Sequence, residues 1–471
     1  MLRQLEDKLV GEVTDSERVT LRHAALWFFL VLCGYYTLRP IREQIGTEYG
    51  IKNLAWLFKA TFLTMLVAIP LYAALVSKFH RKKLVPVIYA FFCVWLIGFW
   101  AAMTFVGDSV LLRDLSFVRW LATTFSIPPR FTGGEVTAQE WTARILFIWI
   151  SVYGLFIVSF FWSVVGDMFS PSQGRRLFGA IAGGGTAGGM TASLFATFMV
   201  KHIGQANLLW LPAIMLLCGL AVYGSLERHH ERSGAVAEVK RSSGKATGGN
   251  PFSGFAAVFA SKYLFAICLY GLLLATCGTT IYFQQSEIVD AVFDNREDKT
   301  QFFATINFFV QVVTLVLQTA VVGKLMNKFG LGLTLAVLPV AYIFGITSLA
   351  LAPSLAILAV ITVTGRSAEY AIANPAREVL FTAVKREDRY KAKSFIDTIV
   401  RRGGDTIIGS IYRSLRETWG FAMTTLSWCI VPIAIGWVAL GFFIGRENQR
   451  VVSRRVVNQK DTANDADDPS N

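Results

Sequence analysis

Charge is scarce in this chain: of its 471 residues only 16% are Asp, Glu, Lys or Arg, whereas 54% are hydrophobic. Soluble domains carry about 25% charged residues, so the chain lacks the polar surface needed to cover itself in water. Cysteine is sparse too. Cys33, Cys93, Cys218, Cys268, Cys277 and Cys429 all lie in apolar stretches and none forms a Cys-x-x-Cys pair. That pattern argues against a disulfide framework, a cluster or a zinc site and reads as small buried hydrophobes. His229-His230 sits in a polar stretch without Cys or carboxylate neighbours at ligand spacing, so no metal is expected there. Neither His-Glu-x-x-His nor Gly-x-Ser-x-Gly occurs, which argues against an intramembrane enzyme, and no cofactor is implied. A removable leader is not expected, because a polar stretch from Met1 to Arg22 precedes the first apolar run and no small-residue cleavage site follows.

What the chain does have is long apolar runs, with mean hydropathy +0.49. Spans are expected near 24–47, 54–77, 84–106, 144–166, 177–200, 206–226, 258–284, 301–323, 330–352, 354–380, 394–412 and 420–445. Twelve membrane helices of about 22 residues use roughly 264 positions and leave short connections. Basic residues collect in alternate loops, as in Lys78-Phe79-His80-Arg81-Lys82-Lys83, Arg175-Arg176, Arg228 to Lys245 and Lys385 to Lys393. The intervening loops are poorer in Lys and Arg or acidic, as at Asp290, Asp294, Glu297 and Asp298. The positive-inside rule then places both termini in the cytoplasm and explains most of the net charge of +13 without nucleic acid. The fold class expected is an all-α polytopic membrane protein, multi-pass in a bacterial inner membrane and monomeric.

The polar stretch 227–256 divides the spans six and six. The expected organisation is an N-terminal half 1–226, a cytoplasmic linker 227–256, a C-terminal half 257–449 and a disordered tail 450–471. This layout resembles the major facilitator superfamily. A weak internal echo accompanies it: Arg175-Arg176-Leu177-Phe178 precedes glycines at 183–185, and Lys391-Ala392-Lys393-Ser394-Phe395 precedes Gly403-Gly404. Segment 107–142, with Pro128-Pro129, Trp120 and Trp141, reads as interfacial. The tract Gly183 to Gly189 has no preceding strand and no Gly-Lys-Ser/Thr ending, so it is not a phosphate loop. Gly184/Gly188 and Gly185/Gly189 are small-xxx-small pairs suited to close helix packing.

Charges at membrane depth carry the functional signal, since each costs about 2.5–3.5 kcal/mol on the insertion scale and needs a cavity or a partner. Span one ends with Arg39, Arg42 and Glu43 on one stripe, roughly 25–30 Å along the helix from Arg22. Marking the outer interface is the alternative for these three, against which the run continues with Ile45 and Gly46. Lys59 lies inside span two, where snorkelling from the outer interface is equally open. Arg366 and Glu369 sit near mid-membrane, at a spacing that allows an intrahelical pair, and Asn374-Pro375 is expected to break the helix below them. Span eleven adds Asp397, Arg401, Arg402 and Asp405. Adjacent arginines cannot both be neutralised by one partner on one face. Gln284, Gln285, Asn307 and Gln311 bind a ligand or hold helices together, with Gln284 the better ligand candidate. Arg39, Arg42, Lys59, Arg366, Arg401 and Arg402 outnumber Glu43, Glu369 and Asp405, and guanidinium forks match phosphate or carboxylate oxygens.

With these residues placed, the chain resembles the ATP/ADP translocase-type nucleotide transporters of intracellular bacteria and plastids. Leu38-Arg39-Pro40-Ile41-Arg42-Glu43 is similar to that family's Leu-Arg-x-x-Lys-Asp, and Phe161-Trp162, Arg176-Leu177-Phe178-Gly179 and Lys391 to Asp397 extend the likeness to both halves. The resemblance implies that Arg42 takes the functional lysine position, Glu43 the aspartate, and Arg401 or Arg402 the basic position of helix eleven. Glutamates expected in helices four and seven are not evident around Ile150-Ser151 and between Thr280 and Gln284. These departures point away from ATP/ADP exchange itself and towards another anionic substrate.

The expectation is a secondary transporter of an anionic, nucleotide-like or otherwise phosphorylated small molecule. It would work by alternating access around a midplane site, through exchange or proton coupling. Substrate contacts are assigned to Arg39, Arg42, Lys59, Gln284, Arg366, Arg401 and Arg402. Coupling or ion pairing is assigned to Glu43, Glu369 and Asp405. An exporter of drugs or lysolipid-like amphiphiles and a non-transporting scaffold are the alternatives.

Overall fold

The computed structural model describes residues 15–79, 81–106, 137–169, 171–232, 254–384, 392–393 and 395–466. Among them twelve long helical elements follow one another. They are α1 (Asp15–Glu48), α2 (Gly50–Lys78), α3 (Arg81–Phe105), α4 (Ala138–Gly166), α5 (Pro171–Asn207) and α6 (Trp210–Arg232), then α7 (Lys262–Val292), α8 (Arg296–Ala320) and α9 (Val322–Leu351). Two further elements are composite: α10 joins Leu355–Ala368, a π-helical turn Glu369–Ala373 and Asn374–Thr382, and α11 joins Ile396–Val400, Arg401–Arg413 and Ser414–Thr418. The last, α12, is Met423–Ala466. Ten of the twelve are long and apolar enough to cross a membrane. The other two, α5 and α11, carry the glycine tract and the Asp397–Asp405 charges, which depress their hydropathy. Large apolar side chains such as Leu63, Val67, Phe91, Val94 and Phe344 stand exposed, as helices immersed in lipid require.

Local chemistry sets several boundaries. Thr137 caps α4 by accepting from the Glu140 amide at 3.2 Å, with Glu140 in the first turn. Ser354, after Pro353, caps α10 through the Ile357 amide. Gly204 and Gly330 break α5 and α9 with φ of 77° and 75° and near-extended ψ, a region essentially closed to side chains. Gly330→Ala is therefore expected to cost about 1–3 kcal/mol, read as a lower melting temperature of the purified protein. Asn374-Pro375 does not end α10. The helix widens into the π-helical turn just before it, which accommodates the ring and the missing amide donor.

The tail expected to lack structure from residue 450 continues α12 as helix to Ala466. An already formed helix extends without a new nucleation cost, and Arg450 pairs with Glu447 one turn back. Most of segment 107–142 and of the 227–256 linker lies outside the described residues.

The chain divides into two compact units, Met1–Ala246 with Val289–Gln311, and Thr247–Ile288 with Val312–Asn471. In the first unit α5 packs against α1 through its glycines. A Cβ on Gly184 would lie 2.6 Å from the Ala25 carbonyl oxygen, and one on Gly188 would lie 2.1 Å from that of Phe29. Trp27 is fully buried beside this seam and donates to the Tyr89 hydroxyl at 2.7 Å, while Phe28 stacks on Phe161 at 4.3 Å. In the second unit a similar approach joins α9 and α12, where a Cβ on Gly445 would meet Gly332 Cα at 2.4 Å.

Candidate functional site

In the first unit, α1 places Arg39, Arg42 and Glu43 within little more than one turn. Pro40 between them leaves the Tyr36 carbonyl without its usual helix donor. Arg39 donates to Glu43 Oε1 at 3.2 Å and to the Tyr36 hydroxyl at 3.3 Å. Glu43 is 1% exposed and also accepts from Asn307 Nδ2 of α8 at 3.4 Å. Arg42 turns to α4 instead, donating to Ser151 Oγ at 2.6 Å with its guanidinium 4.2 Å from the Phe147 ring centroid. Helix four thus presents a hydroxyl and an aromatic face to this cation. Two arginines and one carboxylate thus lie together among largely apolar neighbours.

Further along α1, on the opposite face, a chain of hydrogen bonds begins. Gln44 donates to Glu48 at 2.8 Å and accepts from Gln205 at 2.6 Å, and Gln205 also donates to Thr300 at 3.2 Å. Arg296 pairs with Glu48, and Lys201 pairs with Asp298 at 2.6 Å. Tyr49, in the turn after α1, is held above the usual phenol range by burial and by the neighbouring Glu48, so it remains a neutral donor.

In the second unit, the π-helical turns of α10 and α11 bracket the charges. Glu369 opens one and Arg401 follows the other directly, and the two side chains form an ion pair. A π-helical turn shifts the register of the side chains below it, a device concentrated at functional sites. Asp405 accepts from Thr279 of α7 at 2.9 Å, and both Arg401 and Arg402 lie within electrostatic reach of it. Arg366 lies half-buried one turn before Glu369. Arg366, Arg401 and Arg402 against Glu369 and Asp405 again leave one cation in excess.

The structure does not bring all the assigned residues together. Lys59 is exposed on α2 and forms no ion pair among the described residues. Gln284 is 1% exposed and committed to Ser427 Oγ at 2.8 Å. Asn307 and Gln311 are buried beside Glu43 and Gly189, and a Cβ on Gly189 would touch the Gln311 amide at 2.4 Å.

Two groupings escape the sequence reading. Glu287, one turn beyond the neutral stretch of α7, accepts from Tyr412 at 2.6 Å and is paired with Arg416. The span expected to end at residue 284 leaves Glu287 in the following loop, whereas α7 runs to Val292. Arg377, 7% exposed, pairs with Asp397 of α11 at 3.0 Å, joining two charges that the sequence shows only as separate.

Comparison with known proteins agrees with this architecture. The chain is similar to ADP,ATP carrier protein 1 of Chlamydia trachomatis, at 21% identity over 424 residues, covering 80% of this chain and 78% of that protein. It is similar to the Chlamydia pneumoniae protein of the same name at 20% identity over 434 residues, covering 80% and 81%. Among solved structures, the nucleoside transporter NupG superposes with a TM-score of 0.56 at 14% identity, covering 92% of this chain and 98% of NupG. A bacterial homologue of the human lysosomal transporter Spinster, in an inward-facing and unoccupied conformation, superposes with a TM-score of 0.51 at 15% identity, covering 93% and 99%. These two structures share the fold. Residues 24–376 match the model of the Major Facilitator Superfamily, and the chain, with its membrane-spanning helices and paired intramembrane charges, belongs to that superfamily of transmembrane transporters.

Proposed function

We propose that this chain is a secondary transporter that carries an anionic small molecule, phosphorylated or carboxylated, across the bilayer by alternating access. The observation that carries this reading is the cation excess in both units. Arg39 and Arg42 outnumber Glu43, and Arg366, Arg401 and Arg402 outnumber Glu369 and Asp405, each group at membrane depth. Guanidinium groups that outnumber carboxylates are costly there, and an anion with several oxygens stabilises them through charge-assisted hydrogen bonds. The relatives, an ADP,ATP carrier and a nucleoside transporter, favour the nucleotide class within this reading. Glu43, Glu369 and Asp405 are the carboxylates available to a coupled proton. The loop charges support cytoplasmic termini in this reading.

The test is uptake into proteoliposomes of radiolabelled ATP, a sugar phosphate and a dicarboxylate, each with either an internal counter-anion or an imposed pH gradient. Stimulation by the counter-anion identifies exchange, and stimulation by the gradient identifies proton coupling. Arg42→Gln and Arg366→Gln are each expected to raise KM for the carried anion about ten-fold or more, since hydrogen bonds to charged groups are worth about 1.5–3 kcal/mol. Wild-type KM in both variants, or uptake of amphiphiles in place of anions, overturns the reading.

A further inference from the structure

A groove of about 480 Å³ runs along the second unit between α7 and α12, lined by Leu269, Leu273, Gly436, Ala439, Leu440 and Phe443. Its floor is made by the absence of side chains. Gly436 is exposed, and a Cβ built there meets nothing within 4 Å. The next residue, Trp437, is fully buried against Tyr270 at 5.2 Å, so α7 and α12 are locked together behind the groove while its front stays open.

The groove has a charged end. On α7, Lys262, Phe265, Leu269 and Leu273 follow at i, i+3, i+7 and i+11, one stripe of a helix. On α12, Gly436, Ala439, Phe443 and Arg446 follow at i, i+3, i+7 and i+10, again one stripe. Asn448 donates to the Tyr263 hydroxyl at 2.7 Å, which fixes the start of α7 beside the far part of α12 and sets Lys262 and Arg446 at the same end of the groove. Both cations are exposed, and neither forms an ion pair among the described residues. From Lys262 to Leu273 the stripe extends about 16 Å at 1.5 Å per residue, close to half of a hydrocarbon core about 30 Å thick.

We propose that this groove is a binding site for one anionic glycerophospholipid. An acyl chain lies along Leu269, Leu273, Gly436 and Phe443, and the headgroup phosphate meets Lys262 and Arg446. An apolar channel one leaflet deep, ending in two unneutralised cations, matches the shape and the charge order of such a lipid. A second copy of the chain fits less well. A two-fold contact would set the Lys262 and Arg446 pair of one copy against the same pair of the other. The site is independent of the substrate groups, none of which lines it.

Native mass spectrometry of the full chain in detergent, with equal amounts of dioleoyl phosphatidylglycerol and dioleoyl phosphatidylcholine, tests the proposal. Phosphatidylglycerol adducts are expected to dominate on the wild type. The affinity for phosphatidylglycerol should fall about five-fold for each charge removed in K262Q and R446Q, leaving the double variant without preference. Gly436→Trp, which fills the floor, should lose adducts of both lipids. The charge variants, exposed on the surface, keep the test decisive where the Trp variant does not fold. Equal binding of the two lipids by wild type, a preference that persists in the double variant, or a dimer abolished by Gly436→Trp at unchanged lipid occupancy overturns the proposal.

Discussion

Gly188→Leu is expected to prevent α1 and α5 from packing and to leave little folded protein in detergent, whereas Gly183→Leu, five residues earlier in the same helix, is expected to be nearly silent. The contrast rests on what each Cβ would meet. At Gly188 the obstacle is the Phe29 carbonyl at 2.1 Å, backbone of a neighbouring helix that cannot rotate aside. At Gly183 nothing lies within 4 Å. Overpacking that side chains can absorb costs about 1–3 kcal/mol. Here relief requires parting the helices, which also opens the seam at Gly184 and loosens the buried Trp27, so the loss should exceed that range. Fluorescence-detected size-exclusion and thermal melting of the two variants measure it. Equal melting temperatures would show that the α1–α5 seam is not closed as described.

The second large effect concerns the Glu369–Arg401 pair. Glu369→Gln removes the carboxylate paired with Arg401 and leaves that guanidinium to Asp405. Because Arg401 is half-buried, the loss should fall at or below the lower end of the about 3–5 kcal/mol that breaking a fully buried pair costs. Replacing both groups, as in Glu369→Gln with Arg401→Met, removes the guanidinium as well and is expected to recover most of that stability. Transport should not recover with it, because the guanidinium is lost as an anion ligand. Melting temperature and proteoliposome uptake measured on the same preparations separate the two roles. A double variant that regains both stability and uptake would make the pair purely structural. One that regains neither would mean that the two groups act through other partners.

Much of the architecture could be read directly from the chain. Each expected run falls mainly on one long helix, although several ends differ by six residues or more, and Gly330, where α9 kinks, marks the start of the span expected at 330–352. The small-xxx-small reading of Gly184/Gly188 is realised as a close approach to Ala25 and Phe29. Arg39 and Glu43, four residues apart on α1, are paired as their spacing allows. The site was less legible. Glu287 was hidden because hydropathy ends α7 about two turns too early, and its partner Arg416 lies 129 residues away in sequence. The pairing of Glu369 with Arg401 bridges 32 residues and depends on two π-helical turns, whose register no 3.6-residue periodicity predicts. Ser151 gave no signal as the partner of Arg42, because a lone serine in an apolar helix reads as packing.

By itself the sequence determined the class of the protein, the rough placing of its apolar runs, and some of the charges that had to be explained. These follow from the free energy of transferring each segment into hydrocarbon, a sum over neighbouring residues that needs no knowledge of the rest of the chain. Only the tertiary structure decided which cation meets which carboxylate, that Lys59 stands apart from the buried charges, and that α7 and α12 leave a groove with a basic end. Those outcomes depend on the rotation of each helix about its own axis and on how closely two backbones approach. Both are set by packing between segments far apart in the chain.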